Sequence, residues 1–342
     1  MRLRLAVLMV SGAIALQNAT ASDAYKFLNE IPIGGDGGWD YLSVDAAARR
    51  LYVTHATKVV VVDLDKNVVT GEIGDTSGVH GFAVAAELQR GFSSNGRESK
   101  VSVVDLKTLS TISKVEAGEN PDAILYEPGR AEVYAFNGRG KSATVIDAKS
   151  GKVTATIPLP GKPEFAAGDA KANRVYCNIE DKSEVVAIDT AKHEIVATWP
   201  LAPGEEPSGM AFDSAHHRLF LGCHNKMMVM MDSETGKVLG NVPIGAGVDA
   251  CEFDPQTQLA FASCGDGTVT IAKEETSDKL SVVQTLQTEK SARTMTLDGS
   301  SHRIYLASAK FGPPPSPAAD GKPQRPPILP GTFKILVYSP GE

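Results

Sequence analysis

The stretch RLYVTHATKVVVVD, Arg50 to Asp63, decides the fold. Short runs rich in valine, with polar residues at their ends and a brief polar break between them, read as two β-strands joined by a tight turn. DYLSVD lies just upstream and NVVTGEI just downstream, each with the same character. Four short strands therefore fall in about 42 residues.

The unit recurs. VVVVD ends at Asp63, VSVVD at Asp105, ATVID at Asp147, VVAID at Asp189 and MVMMD at Asp232, with spacings of 42, 42, 42 and 43 residues. Four antiparallel strands per repeat cannot bury both faces of their own sheet, but repeats stacked face to face around an axis can. The pattern predicts an all-β, seven-bladed β-propeller with units starting near Asp40, His80, Asp122, Glu164, Ser208, Asp249 and Arg293. In the sixth unit Lys273 stands near the place of the usual aspartate. The seventh lacks a fourth strand before the chain reaches Glu342. AYKFLNEIPIG, Ala24 to Gly34, resembles the fourth strands and is expected to complete that last blade, which removes open sheet edges.

RLYVTH…VVVVD, VYAFNGRGKSATVID and RVYCNIEDKSEVVAID resemble the repeats of the YVTN-repeat family of seven-bladed propellers, and the likeness extends over nearly the whole chain. That resemblance implies the fold and a binding or structural role. It assigns no chemistry, because one fold hosts many functions.

The first residues read as a cleavable secretory leader. Arg2 and Arg4 precede the apolar run Leu5–Leu16, and Ala19-Thr20-Ala21 supplies a small-x-small site. The apolar run is too short to span a bilayer. Cleavage is expected after Ala21, which divides the chain into a leader, 1–21, and one propeller domain, 22–342. The mature protein is expected to be periplasmic or secreted and monomeric, with no transmembrane segment. Loss of the two arginines takes the net charge from −7 to −9. Nucleic acid is an unfavourable partner for such a surface, since phosphate binding needs clustered cations. Cys177, Cys223, Cys251 and Cys264 form no C-x-x-C pair and read as small buried strand residues. The methionines of CHNKMMVMMD read as core for the same reason of strand alternation, rather than as copper ligands.

Aligning the units places Asp40, His80, Asp122, Glu164, Ser208, Asp249 and Arg293 at one equivalent position, expected to be the first residue of each innermost strand. Seven-fold geometry gathers them into a polar ring at the channel mouth. His55, Asn95 and Asn137 end the next strand of their units and are expected directly opposite ring positions. Glycines at positions 34, 35, 37 and 38 give the chain room to turn before Asp40. A wet channel mouth explains polar residues without any ligand. Convergence of four acids and a histidine also suits a divalent metal ion, with Asp40, His80, Asp122, Glu164 and Asp249 as candidate ligands.

The sequence FGPPPSPAADGKPQRPPILPGTF, residues 311–333, interrupts the seventh unit and is expected near that mouth, as a lid carrying Lys322 and Arg325, a docking segment or a linker. No nucleophile-elbow, zincin, Walker or haem-attachment motif is present. The first functional expectation is a binding or scaffold protein holding a small molecule, a metal or a periplasmic protein at the mouth. The alternative is a metal-dependent hydrolase or lactonase, with His80 and Glu164 moving protons and Arg293 stabilising an oxyanion. A third, with no cofactor motif behind it, is an accessory subunit of an electron-transfer system.

Overall fold

Short apolar runs, most of six or seven residues and each stopped by a turn, give 28 strands and two single-turn 3-10 helices among the described residues. The computed structural model describes residues 24–315 and 324–341. The strands form seven four-stranded antiparallel sheets, six of them consecutive in sequence. The seventh takes the N-terminal strand Lys26–Pro32 beside Lys334–Ser339, with Ile31 paired to Ile335 and Pro32 to Lys334. Blade 7 is thus completed by the other end of the chain, as the likeness of Ala24–Gly34 to the fourth strands predicts. The innermost strands touch in order around the axis, and blade 1 (Trp39–Asp45) meets blade 7 (Met295–Asp298), so the ring is closed. The expected leader lies outside the described residues. Among the described residues, no helix is long and apolar enough to cross a membrane.

The repeated aspartate has a local task. Asp63, Asp105, Asp189 and Asp232 each end a third strand and accept backbone N–H bonds from the second and third residues beyond, at 2.8–3.1 Å. Asp147 accepts one from Ser150. These carboxylates build the turn into the fourth strand. In blade 6, Lys273 does stand at that position, paired with Leu259 where Arg218 pairs with Asp232 in blade 5. Without the turn-forming acid the third strand runs on, and both outer strands of blade 6 reach nine residues, Thr268–Thr276 and Lys279–Gln287.

Between blades, large rings from the second strands fill the core. Tyr52, Phe92, Tyr134, Phe220, Phe261 and Tyr305 are all fully buried. The four cysteines are buried and unpaired, and Met228, Met230 and Met231 lie in the core, as their alternation predicts. The outer strands of blades 1–6 each carry a register shift against the third strand. Such bulges increase twist and make an exposed edge a poor template for pairing.

Candidate functional site

The innermost strands of blades 1–6 share a second irregularity. Register slips between Trp39 and Leu42, Val79 and Phe82, Pro121 and Ile124, Pro163 and Ala166, Pro207 and Met210, and Val248 and Ala250. Asp40, His80, Asp122, Glu164, Ser208 and Asp249 lie inside these bulges, as the second residue of each strand and not the first. Arg293 precedes its strand by two residues. A bulge re-aims a side chain while leaving backbone groups unpaired. Hydroxyl and amide side chains on the second strands take up those groups. Thr54 Oγ1 accepts from Asp40 N–H at 3.2 Å and donates to the Tyr41 carbonyl at 2.9 Å. Ser94 accepts from Gly81 N–H at 2.9 Å and donates to the carbonyl of Asp122 in the next blade at 2.5 Å. Asn178 donates to the Ser208 and Gly209 carbonyls, and Ser263 to that of Arg293.

The bulge also corrects the expected place of His55, Asn95 and Asn137. They pair with Trp39, Val79 and Pro121, one residue before each ring position. His55 is buried against Phe333, ring centres 4.5 Å apart, and burial together with the Lys58 charge lowers its pKa. Asn95 is buried between Ser93 and Ser102, and Asn137 donates to Ser142 and Thr144. Asn95 and Asn137 brace their blades through these bonds, and His55 is packed in the core. The entering loop needs glycine at two positions. Gly35 and Gly37 have φ of +82° and +103°, and a Cβ on Gly37 would lie 2.7 Å from that of Ala56.

The ring residues themselves meet. His80 Nδ1 lies 2.6 Å from Asp40 Oδ2 and 3.5 Å from Asp122 Oδ1. Ser208 donates to Asp249 at 3.2 Å, and Asp249 pairs with Arg293 at 3.1 Å. Glu164 pairs with Lys162 at 2.7 Å, a cation from the residue before its strand that repeat alignment passes over. Lys162 also pairs with Glu180.

Enclosure dominates the electrostatics. Burial would lower the His80 pKa, but the hydrogen bond to Asp40 and the charges of Asp122, Asp40 and Glu164 outweigh it and push it up to about 9. Burial raises Asp40 despite His80, with Asp249 adding to the effect. Asp122 rises to about 6 through burial, opposed by His80, and Asp249 to about 6 through burial, opposed by Arg293. Burial and the Asp122 charge carry Glu164 up to about 7 against the pull of Lys162. The mouth is a half-buried acidic cluster whose own cations neutralise it only in part.

Tyr41 reaches across the axis beside this cluster. From blade 1 it crosses to blade 4, where its hydroxyl donates to the Glu164 carbonyl at 3.3 Å and its ring meets Phe165 at 5.2 Å. Burial, then the charges of Asp122, Asp40, Glu164 and Asp249, hold its hydroxyl far above the ordinary range, so it stays neutral. Farther along the axis lies a cavity of about 370 Å³ lined mainly by Leu42, Phe165, Met210, Phe212 and Phe253. Glu252 is among the residues that line it, and its carboxyl is pushed up to about 8 by burial, although Thr296 and the Leu297 backbone favour its charged form.

The two arms of the proline-rich insert join through the Phe311–Ile328 bridge and a Gly312 N–H to Pro327 carbonyl bond of 2.8 Å. Phe333 stacks on Trp39 at 4.9 Å, and Gly331 N–H reaches the Gly35 carbonyl at 3.1 Å. The arms therefore rest on the loop that leads into Asp40. The tip, 316–323, with Lys322, lies outside the described residues.

His80, between Asp40 and Asp122, is the centre of a three-donor group whose ligand atoms all lie within 4.8 Å of one another. No family model matches the chain. Over 148 residues it is 28% identical to YncE of Salmonella typhi and 30% identical to YncE of Escherichia coli K12, both described as uncharacterized. The matched stretch is 42% of this chain and 42% of each relative, so the chain spans less than half the length of the curated relatives it matches. The molecule is thus a seven-bladed propeller related to YncE over that stretch.

Proposed function

We propose that the protein is an exported, periplasmic binding protein that holds a divalent cation at the channel mouth and presents it to a small molecule or a protein partner. The observation that carries this reading is the convergence of Asp40, His80 and Asp122, with donor atoms within 4.8 Å of one another in a half-buried acidic mouth. Two carboxylates and one imidazole suit a borderline ion such as Zn²⁺ or Mn²⁺. Binding displaces the proton shared by His80 and its aspartates, so affinity falls as pH falls. Export rests on the leader read in residues 1–21, with the propeller beginning at Ser22. N-terminal sequencing of protein recovered from the periplasm checks the cleavage after Ala21.

The metal test is a titration of chelator-stripped protein followed by calorimetry. Wild type is expected to take up Zn²⁺ or Mn²⁺ at the mouth, and Asp122→Asn and Asp40→Asn each to weaken that uptake by about tenfold or more. Unchanged uptake in both variants refutes the site. Glu164, poised at about 7, and Arg293 on the same ring keep a hydrolase as the second reading. It requires turnover of a lactone or ester panel that disappears in Glu164→Gln while metal uptake remains.

A further inference from the structure

On the face opposite the mouth, blades 5 and 6 assemble a second group of donors. Asp213 ends the first strand of blade 5, and His216 stands in the following turn. Glu274 comes from the prolonged third strand of blade 6, one residue beyond Lys273. His216 Nδ1 lies 2.5 Å from Asp213 Oδ2 and 4.0 Å from Glu274 Oε2, and the three donor atoms fall within 4.8 Å of one another. We propose that Asp213, His216 and Glu274 form a second cation site, independent of the mouth, for a divalent ion of the Zn²⁺, Mn²⁺ or Co²⁺ class.

Three observations carry this. The first is an orphan. Glu274 is 8% exposed, and its buried Oε2 has no hydrogen-bond partner, an arrangement that costs folding free energy unless a cation or donor meets it. The second is division of labour on Asp213, which is 1% exposed. Its Oδ1 accepts from Ala215 N–H at 2.9 Å and forms the turn, leaving Oδ2 for the group it shares with His216. The third is charge. Asp213, Glu274 and Asp232 face one guanidinium, Arg218, which spends itself on Asp232 at 2.9 Å and stands 3.8 Å from Glu274 Oε1.

Other histidine–carboxylate pairs, His302–Asp254 and His193–Glu132, also bridge chain segments. Among the described residues they do not join a third donor, whereas this pair does because blade 6 lost its turn-forming aspartate. Two carboxylate oxygens and one imidazole nitrogen leave coordination positions for water, and a cavity of about 320 Å³ beside His216 and Glu274 provides room. The ion takes the place of the proton between Asp213 and His216, and Glu274 closes on it.

The experiment uses full-length protein carrying Asp122→Asn, which weakens the mouth site so that the second site is titrated apart from it. Calorimetric titration with Zn²⁺ is expected to show one bound ion. Adding His216→Ala or Glu274→Gln is expected to weaken it about tenfold or more, and Co²⁺ is expected to show visible ligand-field bands that both changes abolish. His216 is more than half exposed and Glu274→Gln preserves shape, so folding is retained, which circular dichroism verifies. The proposal is overturned if Asp122→Asn binds no Zn²⁺, or if the added changes leave affinity and bands as they were. Failure of the mouth reading alone looks different: Asp122→Asn then matches wild type, and His216→Ala still removes an ion.

Discussion

Asp298 shows how a single carboxylate ties the ends of the ring. It is fully buried in blade 7 and bonds to Arg49 of blade 1 at 2.6 Å, to Ser300 Oγ at 2.6 Å and to Ser301 Oγ at 2.7 Å. Burial would raise its pKa, but these donors, Arg49 foremost, hold it down to about 2. A carboxylate depressed on folding contributes stability above its unfolded pKa and loses it as pH falls through the folded value. Here the window runs from about pH 4 to about pH 2. Asp298→Asn is expected to cost on the order of 2 kcal/mol at pH 7 and almost nothing at pH 2, measured by urea unfolding at the two pH values. The sequence offers no sign of this contact, since Arg49 and Asp298 are 249 residues apart. The ring acids were legible, because repeat spacing aligns them. Lys162 and Tyr41 were not: one lies outside the aligned strand and the other reaches its partner only across the axis.

At the scale of the strand, alternation and turn residues were enough to read four strands per unit, but the bulges at the ring positions of blades 1–6 left no mark in the spacing of apolar residues. A bulge adds one residue without changing which side chains are apolar, so strict pairing puts His55, Asn95 and Asn137 one place off. In four of these blades its trace is a polar residue, Thr54, Ser94, Asn178 or Ser263, next to last in the second strand. Ser94 serves two blades, so Ser94→Ala leaves the Gly81 N–H and the Asp122 carbonyl without their partner. The expected cost is about 1–3 kcal/mol, seen as a lower denaturation midpoint with an unchanged slope. Blade 6 was legible as an exception through Lys273. Where its longer hairpin goes was not, because the destination, Arg218 and Ser277 at 3.2 Å, belongs to the contact between two repeats.

The whole molecule depends on one pairing between sequence-distant strands. Ile31 of the N-terminal strand is fully buried in the core that blade 7 shares with blade 1. Ile31→Ala is expected to cost about 2–5 kcal/mol, read from thermal or urea unfolding of the entire protein. An equal loss for an Ile112→Ala change, on an exposed outer strand, would deny the closing strand any special weight. The geometry of that closure has a mechanical meaning. Ala24 and Gly341 are hydrogen-bonded neighbours at 3.0 Å, at the same end of an antiparallel pair. Tension applied to the two termini therefore loads the bonds of this seam one at a time, as a zipper, and not all together in shear. The protein should yield there at low force, with the six remaining blades still folded.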